Sequence, residues 1–266
     1  KEGYYITYVY AGANLDFTGK NIFFSGSTAD GDCVNGILAN GNTTGSTINF
    51  KNDYTKLTCT STDLDTNDNH AAIYCVAAGV VNFDHAVDVY ASATHNKVFG
   101  IYMTGNKSLF HAKDRVSIET VGGNMQTGNN GIMIQQNSSA LFEGALSVKV
   151  SGDIGSNIGI MVSTGGKIEM DDSLKINVSG TNSKGGLWVQ KKGSTAKIKG
   201  VADISFATGT AGNAVVARDS ARIDFENAVF INKDNSKDTY EYNKAISIKD
   251  NGTININQSG GKQVVI

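Results

Sequence analysis

The sequence predicts an all-β chain folded as a parallel β-helix solenoid of about nine three-stranded coils. The first observation is a repeat: GIMIQQNSSALFEG, from Gly131, returns 28 residues later as GIMVSTGGKIEMDD, from Gly159. The second is alternation of apolar and polar residues in three short runs per copy, which is typical of strands buried on one face. The third is composition, because 31 Gly and no Pro in 266 residues suit tight turns and fully paired strands.

Three columns of residues extend the repeat over the whole chain. Strand one of each coil is marked by a small residue and an aliphatic one, at Ile6, Ile37, Ile73, Ile101, Ile132, Ile160, Leu187, Val215 and Ile246. A second column holds Phe17, Phe50, Phe83, Phe110, Phe142, Met170, Ile198, Phe225 and Ile256. A third holds Phe24, Cys59, Val89, Ile118, Val148, Ile176, Phe206 and Ile231. Because every coil runs the same way, equivalent strands should stack in parallel, about 4.8 Å apart.

Insertions recur where strand three connects to strand one of the next coil, at 25–36, 60–71, 120–130 and 232–244. We expect them to line one edge of the solenoid. Insertions cost a solenoid little stability and often carry its binding residues. Loops 60–71 and 232–244 are therefore candidate contact segments, the second because it combines Tyr240 and Tyr242 with charges of both signs.

Overall composition bounds the possible functions. The net charge is −2 and Lys and Arg do not cluster, so we expect no nucleic-acid partner. No run reaches the ~18 apolar residues of a membrane span. We expect one elongated domain, 1–266, that is a fragment of a larger exported protein, because the chain lacks a charged-then-apolar leader and ends inside a strand-like segment.

The three cysteines, Cys33, Cys59 and Cys75, all lie in the first third of the chain. Cys59 and Cys75 replace core aliphatic residues, so we interpret them as small buried hydrophobic residues, with one local disulfide as an alternative and its pairing left open. No C-x-x-C motif is present, so zinc binding is not expected. We expect no cofactor and no metal.

A catalytic alternative rests on charged residues beside the second column. Glu143, Glu169 and Asp171 should cluster on one outer face, with His111 one coil away. Stacked carboxylates raise one another's proton affinity and can act as an acid and base pair or bind a cation. A solvated charged face explains the same pattern. An enzyme should border this cluster with a groove, whereas an adhesin should not.

The outward position of strand one forms an unusually apolar column. It contains Thr7, Leu38, Tyr74, Tyr102, Met133, Met161, Trp188, Val216 and Ser247. Because these residues stack in successive coils, they predict an exposed aromatic patch. Either a partner binds there, with Tyr74, Tyr102, Met133, Met161 and Trp188 as contacts, or another segment of the chain covers it.

The coil pattern resembles the passenger domains of bacterial autotransporters (type V secretion), which are pertactin-like right-handed parallel β-helices. The resemblance lies in GIMIQQNSSALFEGALSVKV, GIMVSTGGKIEMDDSLKINV and GLWVQKKGSTAKIKGVADISF, and the pattern covers nearly the whole chain. It implies a secreted or outer-membrane-attached protein on the bacterial cell surface. It further implies an adhesin with a role in virulence, whose partner is a host-cell protein or glycan, or the same protein on another bacterium. A polysaccharide lyase or glycoside hydrolase is the alternative, since such enzymes also use β-helices.

Overall fold

The computed structural model describes residues 4–28, 34–42, 44–62, 69–94, 97–122, 128–152, 156–180, 185–207, 212–233, 244–257 and 264–265. These residues form 27 strands and no helix, arranged in three parallel sheets. The prediction of an all-β parallel β-helix is confirmed.

The strands follow one another in sets of three, one set per coil. Coils one to three contain β1 (Tyr4–Tyr10), β2 (Asn14–Phe17), β3 (Asn21–Thr28), β4 (Val34–Asn40), β5 (Ser46–Phe50), β6 (Tyr54–Ser61), β7 (Asn69–Val76), β8 (Gly79–Phe83) and β9 (Ala86–Ala93). Coils four to six contain β10 (Lys97–Thr104), β11 (Leu109–Ala112), β12 (Val116–Gly122), β13 (Asn129–Ile134), β14 (Ser139–Phe142), β15 (Leu146–Gly152), β16 (Asn157–Ser163), β17 (Lys167–Met170) and β18 (Leu174–Val178). Coils seven to nine contain β19 (Gly185–Gln190), β20 (Thr195–Ile198), β21 (Ala202–Phe206), β22 (Asn213–Arg218), β23 (Arg222–Phe225), β24 (Val229–Asn232), β25 (Ile246–Ile248), β26 (Thr253–Ile256) and β27 (Val264–Val265).

Each sheet contains nine strands and joins every third strand of the chain. The first sheet runs from β1 to β25, the second from β2 to β26 and the third from β3 to β27. The first and last coils have a neighbour on one side only, so the solenoid has about seven turns that are flanked on both sides. Together with the two end coils they account for the nine strands of each sheet.

The interior is one continuous apolar core to which all three sheets contribute alternate side chains. Phenylalanine rings stack along the second sheet, with centroids 4.8 Å apart between Phe17 and Phe50 and 4.4 Å apart between Phe50 and Phe83. Like residues at one register thus form ladders, which is the main contact between neighbouring coils.

Phe110 departs from the predicted second column. It pairs with Val81 and Ala140, and Ala112 takes the place between Phe83 and Phe142. The fourth coil therefore has its two inward residues in the opposite order of size from the fifth. The large Phe110 pairs with Ala140, and the small Ala112 pairs with Phe142. The slip of two residues keeps both side chains in the core, because side chains alternate with a period of two.

Three further positions differ from the predicted columns. Thr7, and not Ile6, pairs with Ile37. The reason is that Ile6 lies opposite Gly36, at the position that the ladder skips. In the third sheet, Leu57 and Ile204 occupy the column assigned to Cys59 and Phe206. These last two shifts are again two residues long and leave the inward face unchanged.

From the second coil onward, a column of Gly and Ala bends the first sheet just before the aliphatic residue of strand one. The ladder skips Gly100 and Gly131, pairing Phe99 with Asn130 and then Ile101 with Ile132. A Cβ on Gly131 would lie 2.1 Å from Val148 Cγ1 and 2.7 Å from the Gly159 carbonyl oxygen. Only glycine therefore fits this close approach at Gly131.

Candidate functional site

The outer side of the first sheet carries the apolar column predicted from the sequence, with one correction. Tyr8, not Thr7, continues the column at the first coil, because Tyr8 pairs with Leu38. We call this surface the first-sheet face, and its column consists of Tyr8, Leu38, Tyr74, Tyr102, Met133, Met161, Trp188, Val216 and Ser247.

A second outward position lies three residues before this column and was missed in the sequence. Phe99 and Ile158 belong to side-chain clusters separate from the core, whereas their neighbour Ile101 lies in the core. The bend at the small-residue column explains this, because it breaks strict alternation and lets residues three apart face the same way. The regular occurrence of Gly or Ala before the strand-one aliphatic residue was the available signal.

The first cluster of the face is centred on Tyr102. Its ring stacks on Tyr74 of the coil before, with centroids 5.0 Å apart, and on Phe99 at 4.8 Å. Its hydroxyl accepts a 2.7 Å hydrogen bond from Gln135 Nε2. Burial raises the pKa of Tyr74 to about 12 and also raises that of Tyr102. These rings are thus neutral, partly covered and ordered by the stack.

An open groove runs beside this cluster over coils three to six. Its volume is about 540 Å³, and it is lined by Asn69, Lys97, Phe99, Tyr102, Gly128, Asn130, Met133, Ser156, Ile158 and Met161. Met133 and Met161 are half-buried there. Methionine side chains adapt well to a partner's surface, and aromatic side chains are enriched at protein interfaces.

The second cluster surrounds Trp188, which packs with Ile158, Val216 and Met161. The Arg218 guanidinium lies over the indole ring, 5.0 Å from its centroid, in a favourable cation–π arrangement. Trp188 is only 6% exposed and Tyr102 only 9%. These two predicted contacts mainly support the face, whereas half-buried Tyr74, Met133 and Met161 are open to a partner.

Two buried polar atoms of the first-sheet face have no hydrogen-bond partner among the residues that the structure describes. They are Trp188 Nε1 and Asn130 Oδ1. An unpaired buried polar group costs about 1–3 kcal/mol. At Trp188 the face thus gains a large apolar ring but, within the described ranges, no hydrogen bond for the indole N–H.

The charged alternative site lies on the outer side of the second sheet. His111 Nε2 is 2.7 Å from Glu143 Oε1 on the next coil. Lys199 Nζ is 2.8 Å from Glu169 Oε1 and 2.7 Å from Asp171 Oδ1. The structure thus brings the four predicted residues to one face, where His111 contacts Glu143 and Lys199 contacts both Glu169 and Asp171.

The ion pairs explain what this cluster can do chemically. Hydrogen bonds that the Lys199 ammonium group donates to the carboxylates of Asp171 and Glu169 raise the pKa of Lys199. Its ammonium group contacts both carboxylates, so they do not share a proton as a catalytic pair would. Because of the shift at Phe110, the residue in line with Glu143 is Lys113, and its Nζ lies 2.7 Å from Asp84 Oδ1. Lys113, Glu143, Asp171 and Lys199 follow one another in this column, so the two carboxylates on adjacent coils are flanked by lysines.

The remaining candidates contribute no further site among the described residues. Tyr240 and Tyr242 lie outside them, as do residues 63–68 of loop 60–71 and residues 234–243 of loop 232–244. Cys59 and Cys75 are buried and free, as the interpretation as small hydrophobic residues predicts, and Cys33 lies outside the described residues. No group of three or more His, Cys, Asp or Glu in the described ranges is placed to hold a metal ion.

No helix long and apolar enough to span a membrane occurs in the part of the chain that the structure describes. Comparison with known proteins adds no relative: no protein-family model, no curated protein and no solved structure matches the chain.

Proposed function

We propose that the chain is the adhesive, non-enzymatic part of an exported bacterial surface protein of the autotransporter type. It attaches to a host-cell protein or glycan, or to another bacterial cell, through the first-sheet face. The observation that carries this proposal is the apolar column that runs along the outside of the solenoid from Tyr8 to Val216.

The composition of this face supports a contact role. Aromatic residues and methionine are enriched at protein interfaces, and Lys and Glu are depleted there. Tyr74, Met133 and Met161 keep accessible surface around the groove of about 540 Å³. Single exposed apolar residues need no explanation, but accessible apolar surface that recurs on nearby coils, here at Tyr74, Met133 and Met161, is typical of an interaction site.

A polysaccharide-degrading enzyme is the alternative, favoured by the solvent-facing His111–Glu143 pair on a β-helix. Glycoside hydrolysis needs two carboxyl groups with a sugar ring or water between them. Lys199 instead contacts both Glu169 and Asp171. Turnover of any member of a panel of acidic and neutral glycans, lost in Glu143→Gln, would replace adhesion with catalysis as the function.

Attachment is tested with beads that carry the purified chain, scored on cultured epithelial cells, on a glycan array and for clumping with one another. Tyr74→Ala and Met133→Lys should each lower binding by about tenfold, equivalent to about 1.4 kcal/mol. Tyr90→Ala is the matched control, because Tyr90 is also half-buried but lies on the third sheet. Trp188→Ala is less suitable, since losing a buried ring also destabilises the fold.

Deleting residues 234–243 tests the loop that carries Tyr240 and Tyr242. Loss of binding in this deletion alone would move recognition from the first-sheet face to the loop. Binding that survives the deletion and both face variants, with unchanged thermal transitions, would place recognition outside this chain.

A further inference from the structure

One polar side chain interrupts the apolar groove of the first-sheet face. In the second outward position, Asn130 lies between Phe99 of the coil before and Ile158 of the coil after. Asn130 is only 6% exposed and lines the groove, and its Oδ1 accepts no hydrogen bond from the described residues. An apolar residue would fit this column without leaving a buried acceptor unpaired. The unpaired oxygen therefore points to a hydrogen-bond donor that a ligand supplies.

We propose that the groove binds an extended segment of a partner protein that contains an acidic and a large apolar residue. A backbone N–H of the segment donates a hydrogen bond to Asn130 Oδ1, and the apolar side chain packs beside Met133 and Met161. The acidic side chain pairs with Lys97. This inference rests on the proposed contact role of the first-sheet face and narrows its partner to a protein.

Lys97 sets the charge of the groove. It is the only charged residue among the described residues that line the groove. Unlike Lys113 and Lys199, it forms no ion pair within the described ranges. An acidic side chain of the partner can therefore pair with Lys97 without displacing a carboxylate of this chain, and the pair would fix the direction of the bound segment.

The extent of the groove sets the length of the segment. The groove runs from Asn69 on coil three to Met161 on coil six. These three steps of about 4.8 Å make about 14 Å, the length of about four residues of an extended chain. Alternate side chains of such a chain point the same way, about 7 Å apart, which is about one and a half coils. Lys97 and a point between Met133 and Met161 are separated by this number of coils, so we expect one residue between the acidic and the apolar residue.

The exposure of the aromatic rings favours a protein segment over a glycan. Phe99 is 3% exposed and Tyr102 is 9% exposed, so neither ring has a face free for a sugar ring to stack on. The accessible apolar surface of the groove comes instead from half-buried Met133 and Met161. Methionine adapts to side chains of varied shape, as peptide-binding surfaces require.

Selection from a phage-displayed library of random heptapeptides tests the charge and the spacing. The wild-type chain should enrich peptides in which Asp or Glu lies two positions from a large apolar residue. Lys97→Glu should enrich Lys or Arg at that position instead, because the sign of the charge in the groove is reversed. Lys175→Glu is the matched control, since Lys175 is an exposed lysine of the third sheet, and it should keep the acidic preference.

The hydrogen bond to Asn130 is tested with the tightest-binding peptide of that selection. Asn130→Leu removes the unpaired acceptor from an apolar column, so it should raise the melting temperature and yet weaken peptide binding by about fivefold. Each backbone nitrogen of the peptide is then methylated in turn. One methylated peptide should bind the wild type about fivefold more weakly, but bind Asn130→Leu as the unmethylated peptide does. A purely structural role of Asn130 would not depend on one N–H of the peptide.

The selection separates failure of this inference from failure of the proposed function. A library that yields no binder, binders that lack the acidic and apolar pair, or an acidic preference that persists in Lys97→Glu would overturn the inference. If bead attachment is nevertheless lost in Tyr74→Ala and Met133→Lys, the proposed function stands. Peptides with the expected pattern, together with bead attachment that both face variants leave unchanged, would support the peptide site and overturn the proposed function.

Discussion

The Tyr102 ring stacks on the Tyr74 ring of the preceding coil, with centroids 5.0 Å apart and ring planes inclined by 11°. Gln135, from the following coil, donates a hydrogen bond to the Tyr102 hydroxyl. Three successive coils are therefore joined on the outer side of the first sheet as well as through the core. The residues proposed to bind a partner also hold the coils in register.

Alkaline pH should weaken the fold through this stack. Burial disfavours the phenolate and raises the pKa of Tyr74 from 10.0 to about 12. A raised folded-state pKa adds stability that is complete below pH 10 and is lost as the pH rises through about 12. Tyr74→Phe should make the fall of the melting temperature over this window shallower, though not abolish it, because burial also raises the pKa of Cys59.

The control for this titration is Tyr8→Phe, which removes a hydroxyl from the exposed end of the same face, where Tyr8 is 50% exposed. A melting temperature that falls equally steeply with pH in the wild type and in Tyr74→Phe would contradict the assignment.

The exchange of large and small residues at Phe110 and Ala112 should be visible in stability. Phe110→Ala leaves a cavity in the core and should cost about 3–5 kcal/mol. Ala112→Phe forces a ring between Phe83 and Phe142 and should cost about 1–3 kcal/mol. The double variant conserves volume and continues the phenylalanine ladder, so it should be more stable than Phe110→Ala. Denaturant midpoints measure all three, and a double variant below Phe110→Ala would argue against this register.

Which residues face inward was largely predictable from the sequence, because the alternation has a period of two and each coil repeats it. The register within a face was not, since Leu57 and Cys59 both point inward and satisfy the same pattern. Side-chain volume decides between such positions, and volume depends on neighbours one coil away. For the same reason, the sequence analysis assigned Phe110 to the column of Phe83 and Phe142, which Ala112 occupies instead.

The candidate site was predictable only in part for a different reason. Strict alternation along strand one predicted the outward column. It did not predict that Phe99 also faces outward, because the bend at Gly100 interrupts the alternation. On the charged face, spacing alone did not predict that Lys199 contacts both Glu169 and Asp171 whereas His111 contacts Glu143. Long side chains make that choice, and their directions are not encoded in spacing.

The two described cysteines should be unreactive in the folded protein. Burial raises the pKa of Cys59 to about 12 and also raises that of Cys75, and the thiolate is the reactive form. In a Cys33→Ser background, a thiol reagent at pH 8 should label neither cysteine until denaturant is added, and then both. Rapid labelling of the native chain would show that coils two and three open readily.

Acid should remove the ion pair that joins coils three and four on the third sheet. Arg115 Nη1 and the Tyr54 hydroxyl each donate a 2.6 Å hydrogen bond to Asp88. Burial acts to raise the Asp88 pKa, but these two bonds together outweigh it and hold the pKa below 3.8. A lowered folded-state pKa adds stability that is present above the unfolded-state pKa and is lost as the pH falls through the folded-state pKa.

Asp88→Asn should therefore cost up to about 1 kcal/mol at pH 7, the scale of a part-exposed pair, and the cost should vanish below the folded-state pKa. Thermal melts from neutral to acid pH measure this, with Asp203→Asn, in the same column of the third sheet, as the control for the substitution.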